Sequence, residues 1–286
     1  MPITKDFEYH KPSRLEDVLK LLDTFQAKAK ILAGGTDLIV KLKENGEQPD
    51  AVIDIKGIPG LNEIRMEGNA LTIGANVTFT ELIESKVVKE QFPLLWQASG
   101  TVASIGTRNR ATVVGNICSA VPSLDSGPAL LIYEAEVLLK SLKGERSVPI
   151  KLWFTGPKKT ALHPGEMVTG LKLALIKEKH GASYQKLGRY AGEDLAQAGV
   201  GIMVTQSLHY RIAYCAVGPV PKRSESIESF LEGKKLTPEL IQKANEMSGK
   251  EISPITDIRA TKEYRSHMIG VMLERGLLNA YTQIHK

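Results

Sequence analysis

The chain has 286 residues, of which 42% are hydrophobic, 24% charged and 6% aromatic, a composition that excludes a disordered, collagen-like or coiled-coil chain. At roughly 100–200 residues per domain the length suits two domains, and it is enough to bury a large core without disulfides or a structural metal. The 37 basic and 32 acidic residues leave a net charge of +5, scattered as single residues and pairs such as Lys158-Lys159, with no like-charge block to mark a nucleic-acid surface.

The first helix is predicted from Leu15, Val18, Leu19, Leu22 and Phe25 at helical spacing, with Ser13 and Glu16 as a capping box after Pro12. A short apolar strand at 30–33 runs into Gly34-Gly35, and Thr36 or Asp37 then caps a helix through Leu38, Ile39 and Leu42 that closes near Asn45-Gly46. With a further strand at 52–55, residues 1–57 read as a β/α unit. Alternation at Leu71, Ile73 and Ala75 predicts a half-buried strand. Thr78 and Glu81 offer a second capping box, and Pro93 opens another helix. The stretch 101–129 is rich in Gly, Ser, Thr, Asn and Pro and lacks regular periodicity, which predicts a long functional loop. Strands follow at 136–141 and 167–175. Beyond 178–181 come strands near 183–187, 200–205 and 212–217, then helices at 225–231, 237–248 and 260–283. Strands followed by helices suggest a separate α+β domain there.

Two cysteines, Cys118 and Cys215, are too few for a four-thiolate zinc site or an iron–sulfur cluster, and read as small buried hydrophobes in a reducing compartment. The histidines at 10, 163, 180, 209, 267 and 285 form no metal-binding pair. No apolar run reaches the roughly 18–20 residues of a membrane helix, and the N-terminus has no apolar signal region, so a cytoplasmic location is expected.

Two segments carry ligand-binding chemistry. In Ala33-Gly34-Gly35-Thr36-Asp37-Leu38 the glycines let the backbone turn sharply between a strand and a helix, and the N–H groups at the helix start suit a pyrophosphate. By itself this segment reads better as a glycine turn with a good cap. It is neither a P-loop nor a GxGxxG fingerprint. The second segment, 107–125, gathers Thr107, Asn109, Thr112, Asn116, Ser119, Ser123 and Asp125, with Gly115 for close approach. Interleaved Val113, Val114, Ile117 and Val121 indicate that it is half-buried, and buried polar groups need partners.

Together these segments resemble the FAD-binding medium subunit of the molybdenum hydroxylases, the xanthine dehydrogenase and carbon monoxide dehydrogenase family. The likeness rests on residues 33–38, on 108–117, and on Asp125-Ser126-Gly127-Pro128-Ala129-Leu130. It extends to Ile53-Asp54-Ile55 with Ile58-Pro59, to Leu71-Thr72-Ile73-Gly74-Ala75, and to Asp257-Ile258-Arg259-Ala260 with Glu263-Tyr264-Arg265.

The resemblance implies an α+β fold: a vanillyl-alcohol-oxidase (PCMH)-type FAD domain over 1–177, with subdomains 1–57 and 58–177, and a smaller C-terminal α+β domain over 178–286. It implies that Ala33, Gly34, Gly35, Thr36, Asp37 and Leu38 wrap the FAD pyrophosphate. By the same likeness Thr112, Gly115, Asn116 and Asp125 hold the cofactor's other side, and Val102, Val168 and Lys186 match flavin-proximal positions. The expected partners are an iron–sulfur subunit with [2Fe-2S] clusters and a molybdopterin subunit, with NAD or another compound as electron acceptor and neither nucleic acid nor membrane involved. The His and Glu residues are then expected to be structural or surface groups. One departure stands out: Val114 occupies a position where the family has glycine, a β-branched side chain that could shift or weaken FAD binding while the neighbouring contacts survive. A stand-alone FAD oxidase and a non-catalytic scaffold subunit are the alternative readings.

Overall fold

The computed structural model describes residues 3–190 and 192–285, arranged as three main sheets with helices packed between and around them. The first sheet is parallel, in the order Glu8–His10, Ala51–Asp54, Ala29–Leu32. Parallel strands need crossover connections, and the Leu15–Phe25 and Leu38–Lys43 helices supply them. The first of these helices buries Val18, Leu19 and Leu22, the stripe that its periodicity marks.

The second sheet is antiparallel, in the order Ile64–Glu67, Ala70–Gly74, Met167–Ala174, Glu136–Ser141, Gly144–Pro149. Between Ala70–Gly74 and Glu136–Ser141 the chain leaves the sheet for six helices. The capping box at Thr78 forms as its sequence predicts, with both reciprocal hydrogen bonds, and Pro93 is the first residue of the Pro93–Gly100 helix.

The third sheet is antiparallel, in the order His180–Leu187, Ala198–Thr205, Tyr210–Cys215, Lys222–Arg223. All eight residues of Ala198–Thr205 are buried. The Lys262–Ile284 helix covers one face of this sheet, while the Pro93–Gly100 and Ser126–Ile132 helices cover the other. One hydrophobic cluster therefore runs through the first two sheets and the helices between them, and a second lies between the third sheet and the C-terminal helices. Among the described residues no helix is long and apolar enough to cross a membrane.

Several expectations need correction. Ser13 does not cap the first helix: Arg14 holds the cap position with extended backbone, no side chain caps the turn, and Arg14 instead pairs with Asp17 at 3.0 Å. Asp37 holds the cap position of the next helix, but its carboxylate accepts from Ser119 rather than from the helix backbone. The stretch 101–129 is not one irregular loop. It contains the helices Ile105–Arg108, Val113–Ser119 and the start of Ser126–Ile132, each too short to show a period of 3.6. The strands Glu8–His10, Ile64–Glu67 and Gly144–Pro149 and the helix Lys86–Gln91 have no counterpart in the sequence reading; the three strands all lie at sheet edges, where alternation is weak.

A cofactor-sized cavity between two polar segments

The diglycine turn follows the strand Ala29–Leu32. Gly35 sits at φ +78°, a conformation that side chains disfavour. Gly34 is needed for a different reason: a Cβ there would stand 2.0 Å from the Arg110 carbonyl oxygen. The glycine therefore lets the first polar segment rest directly on the second. The N–H groups of Gly34, Gly35, Thr36 and Asp37 donate to no protein acceptor among the described residues. These four residues line a cavity of about 900 Å³, at the upper end of the roughly 300–1,000 Å³ usual for ligand pockets.

The second segment is held by its own caps. Thr112 is buried, and its Oγ1 accepts from Gly115 N at 2.9 Å, starting the Val113–Ser119 helix. Gly115 is tight against that same hydroxyl, where a Cβ would come within 2.9 Å. Asn116 Oδ1 accepts from Ser126 Oγ at 2.7 Å, leaving its Nδ2 without a protein acceptor among the described residues. Ser119 Oγ donates to Asp37, tying the helix to the first loop. Val114 takes an ordinary helical place, packs into the core cluster and also lines the cavity. Its side chain is thus shared between the core and the wall that a cofactor would meet.

Asp125 lies on the cavity wall and is 6% exposed. Its Oδ1 accepts from Tyr184 OH at 2.7 Å and its Oδ2 from Lys186 Nζ at 2.9 Å. Lys186 also donates to the Thr101 carbonyl at 2.8 Å. Burial pushes the Asp125 carboxyl upward, against the pull of Lys186 and Tyr184. Burial likewise raises the Tyr184 phenol, with the Asp125 charge adding to it, and pushes the Cys215 thiol behind it up to about 12.

Twelve of the thirteen residues singled out from the sequence border this one cavity: Ala33, Gly34, Gly35, Thr36, Asp37, Leu38, Val102, Thr112, Gly115, Asn116, Asp125 and Val168. Lys186 does not; it stands behind Asp125. The sequence reading missed the rest of the wall. Gln26, Lys30, Lys41 and Glu47 belong to it, with Lys30 and Glu47 paired at 2.9 Å. So does the 162–166 loop, braced by the bidentate Arg146–Glu166 pair, and so do Arg189, Asp194 and Arg259 from the C-terminal part. These residues are far apart in sequence; Arg259 falls in the Asp257–Ala260 motif, but nothing local shows that it or the others face this cavity. Of the His and Glu residues on this wall, Glu166 and Glu47 are held in the ion pairs just named, and His163 is exposed. Cys118 is half-buried, packing against the core cluster and also lining the cavity; Cys215 is buried as expected.

The donor set fits a dinucleotide cofactor. Free backbone N–H groups at a strand-to-helix turn suit a pyrophosphate, and the wall also carries amide and carboxylate groups beside apolar Val102, Val114 and Val168.

Comparisons with known proteins agree. Residues 5–173 match the family model for the FAD binding domain in molybdopterin dehydrogenase, and residues 182–280 that for the CO dehydrogenase flavoprotein C-terminal domain. The chain is 34% identical to the carbon monoxide dehydrogenase medium chain of Hydrogenophaga pseudoflava, over 97% of this chain and 98% of that one. It is 30% identical to the xanthine dehydrogenase FAD-binding subunit of Escherichia coli O157:H7, over 95% of each. A solved structure of the Hydrogenophaga pseudoflava carbon monoxide dehydrogenase, in a form lacking the Mo-pyranopterin moiety of its molybdenum cofactor, superposes with a TM-score of 0.94 over 99% of both chains.

Proposed function

The chain belongs to the family of FAD-binding medium subunits of molybdenum hydroxylases, and from that membership we propose that it is the electron-transfer subunit of a multisubunit enzyme, placed between [2Fe-2S] clusters in one partner and NAD or another acceptor. The observation that carries this reading is the single cavity closed on one side by the free N–H groups of residues 34–37 and on the other by Asn116 and Asp125.

FAD bound there supplies both one-electron and two-electron chemistry. The chain's own residues bind and orient it. The N–H groups of Gly34, Gly35, Thr36 and Asp37 would hold the pyrophosphate, with Ser119 fixing Asp37 so that the loop keeps its shape. Asn116, fixed through its carbonyl by Ser126, would offer its amide N–H, and Thr112 keeps that helix start in place. Val102 and Val168 would supply the apolar wall that keeps water from the reacting ring. No general base is required of this subunit, because substrate oxidation belongs to the molybdopterin partner.

The test is direct. Purified chain, supplied with FAD and desalted, should retain flavin absorption in a one-to-one ratio, and the assembled enzyme should reduce an acceptor at the expense of the molybdenum subunit's substrate. A chain that retains no FAD refutes the reading. Retention by the chain with acceptor reduction in the absence of any partner would instead favour a stand-alone oxidase.

A further inference from the structure

Among the described residues, Asp125 is the one cavity-lining carboxylate that is itself buried and shares its charge with groups outside the cavity. Lys186 and Tyr184 both rise from the strand His180–Leu187, two residues apart and so on one face, and both reach its carboxylate from behind. Lys186 is also anchored to the carbonyl of Thr101, next to cavity-lining Val102. The far side is closed: Cys215 Sγ lies 3.5 Å from Tyr184 OH, and a Cβ on Gly199 would fall 2.5 Å from that sulfur and 2.9 Å from the phenol oxygen. Only glycine at 199 leaves room for the assembly.

A lysine–carboxylate pair sealed this way is expensive to bury and is commonly no better for stability than an apolar replacement. Its place at a cofactor wall suits an electrostatic role. Inside such a dry wall a charge acts on its surroundings far more strongly than in water.

Resting on the FAD reading above, we infer that Lys186 and Tyr184 are positioning residues that set the charge presented by Asp125 to the bound cofactor, and thereby tune how strongly the site favours reduced over oxidised FAD. Lys186 balances the carboxylate. Tyr184 disperses what remains of its charge. Neither needs to touch the cofactor.

The test measures the affinities of the full chain for oxidised and reduced FAD, together with the midpoint potential of bound flavin, in three variants. Asp125→Asn leaves the Lys186 cation uncompensated and should favour reduced FAD by roughly tenfold, about 30 mV for a two-electron couple. Lys186→Met leaves the carboxylate uncompensated and should move the ratio the opposite way. Tyr184→Phe keeps the shape of the wall, should fold even if Lys186→Met does not, and should shift the ratio about threefold in the same direction as Lys186→Met. Opposite signs for the Asp125 and Lys186 variants, or the Tyr184→Phe shift alone, support the inference. A ratio unchanged in Tyr184→Phe and in every other folded variant, with FAD affinity merely lowered, overturns it and leaves the binding role standing. Wild-type chain that takes up neither form of FAD overturns both.

Discussion

Gly34 is legible in the sequence as a glycine that matters, yet the reason lies seventy-six positions away, at the Arg110 carbonyl. Gly34→Ala should therefore act as overpacking against backbone, which cannot yield as a side-chain tip would. We expect a loss of about 1–3 kcal/mol or more, together with loss of FAD retention. Gly106→Ala, with nothing nearer than 4.0 Å to its new Cβ, should leave both unchanged. Denaturant melts and FAD titration of the two variants check this. Asp257 shows the same gap between pattern and cause. It accepts from Arg259 through side chain and backbone and from Arg265 Nη2 at 2.6 Å; Arg265 is 2% exposed and also donates to the Gln197 carbonyl. The Arg259 hydrogen bond, with Arg265 assisting, holds the Asp257 carboxyl well below the usual carboxylate range. A carboxyl depressed in the folded state stabilises it above the ordinary value near 3.9 and loses that contribution as the pH falls toward the folded value. Asp257→Asn should cost about 3–5 kcal/mol at pH 7, because a buried cation loses its partner. The difference from wild type should shrink as the pH drops below about 4, which urea melts at pH 7, 4 and 3 would show.

Among the elements, the Val113–Ser119 helix has seven residues and leans on its cap. Thr112→Ala should remove about 1 kcal/mol and weaken FAD binding, since Asn116 and Ser119 are presented by that helix. Val114→Gly tests whether the valine is an obstruction. Because Val114 is helical, 5% exposed and part of the core, the glycine variant should lose about 1–3 kcal/mol and gain no FAD affinity. Isothermal titration alongside thermal melts separates the two effects. The two capping-box patterns at 13–16 and 78–81 are equally good on paper, and only the second forms. At 78 the chain is held by the bridge to Thr112 and by Phe79 in the core, so the cap geometry is imposed from outside; at 13–14 the chain runs extended into the helix and Arg14 finds Asp17 instead.

At the level of the whole molecule, the cavity is walled by residues from the parallel sheet, the helical excursion, the 162–168 segment and the C-terminal part, so filling it should tie these together. FAD at a hundred times its dissociation constant should add about 2.7 kcal/mol to the stability of the chain and raise its melting temperature by several degrees. A differential scanning series at increasing FAD would show the dependence on concentration; a melting temperature indifferent to FAD would contradict the site. The C-terminal part reaches this wall through Arg189, Asp194 and Arg259 and backs Asp125 with Tyr184 and Lys186 from its sheet, which also covers the Pro93–Gly100 and Ser126–Ile132 helices with a strand buried at every position.

What the sequence determined by itself was whatever depends on near neighbours in the chain: the periodic helices, the apolar strands, the Thr78 cap, the Pro93 start, the diglycine turn and the polar character of 107–125. Its motifs, taken together, also identified the family. The tertiary structure alone decided which of those polar groups share a wall, why Gly34 cannot carry a side chain, that Lys186 stands behind Asp125 rather than in the cavity, and that residues as distant as Gln26, Glu166 and Arg259 complete it. The reason is physical. Periodicity and capping are local balances of backbone geometry and solvation, whereas a cavity wall is set by which surfaces the packed sheets bring face to face, and no short stretch of chain records that.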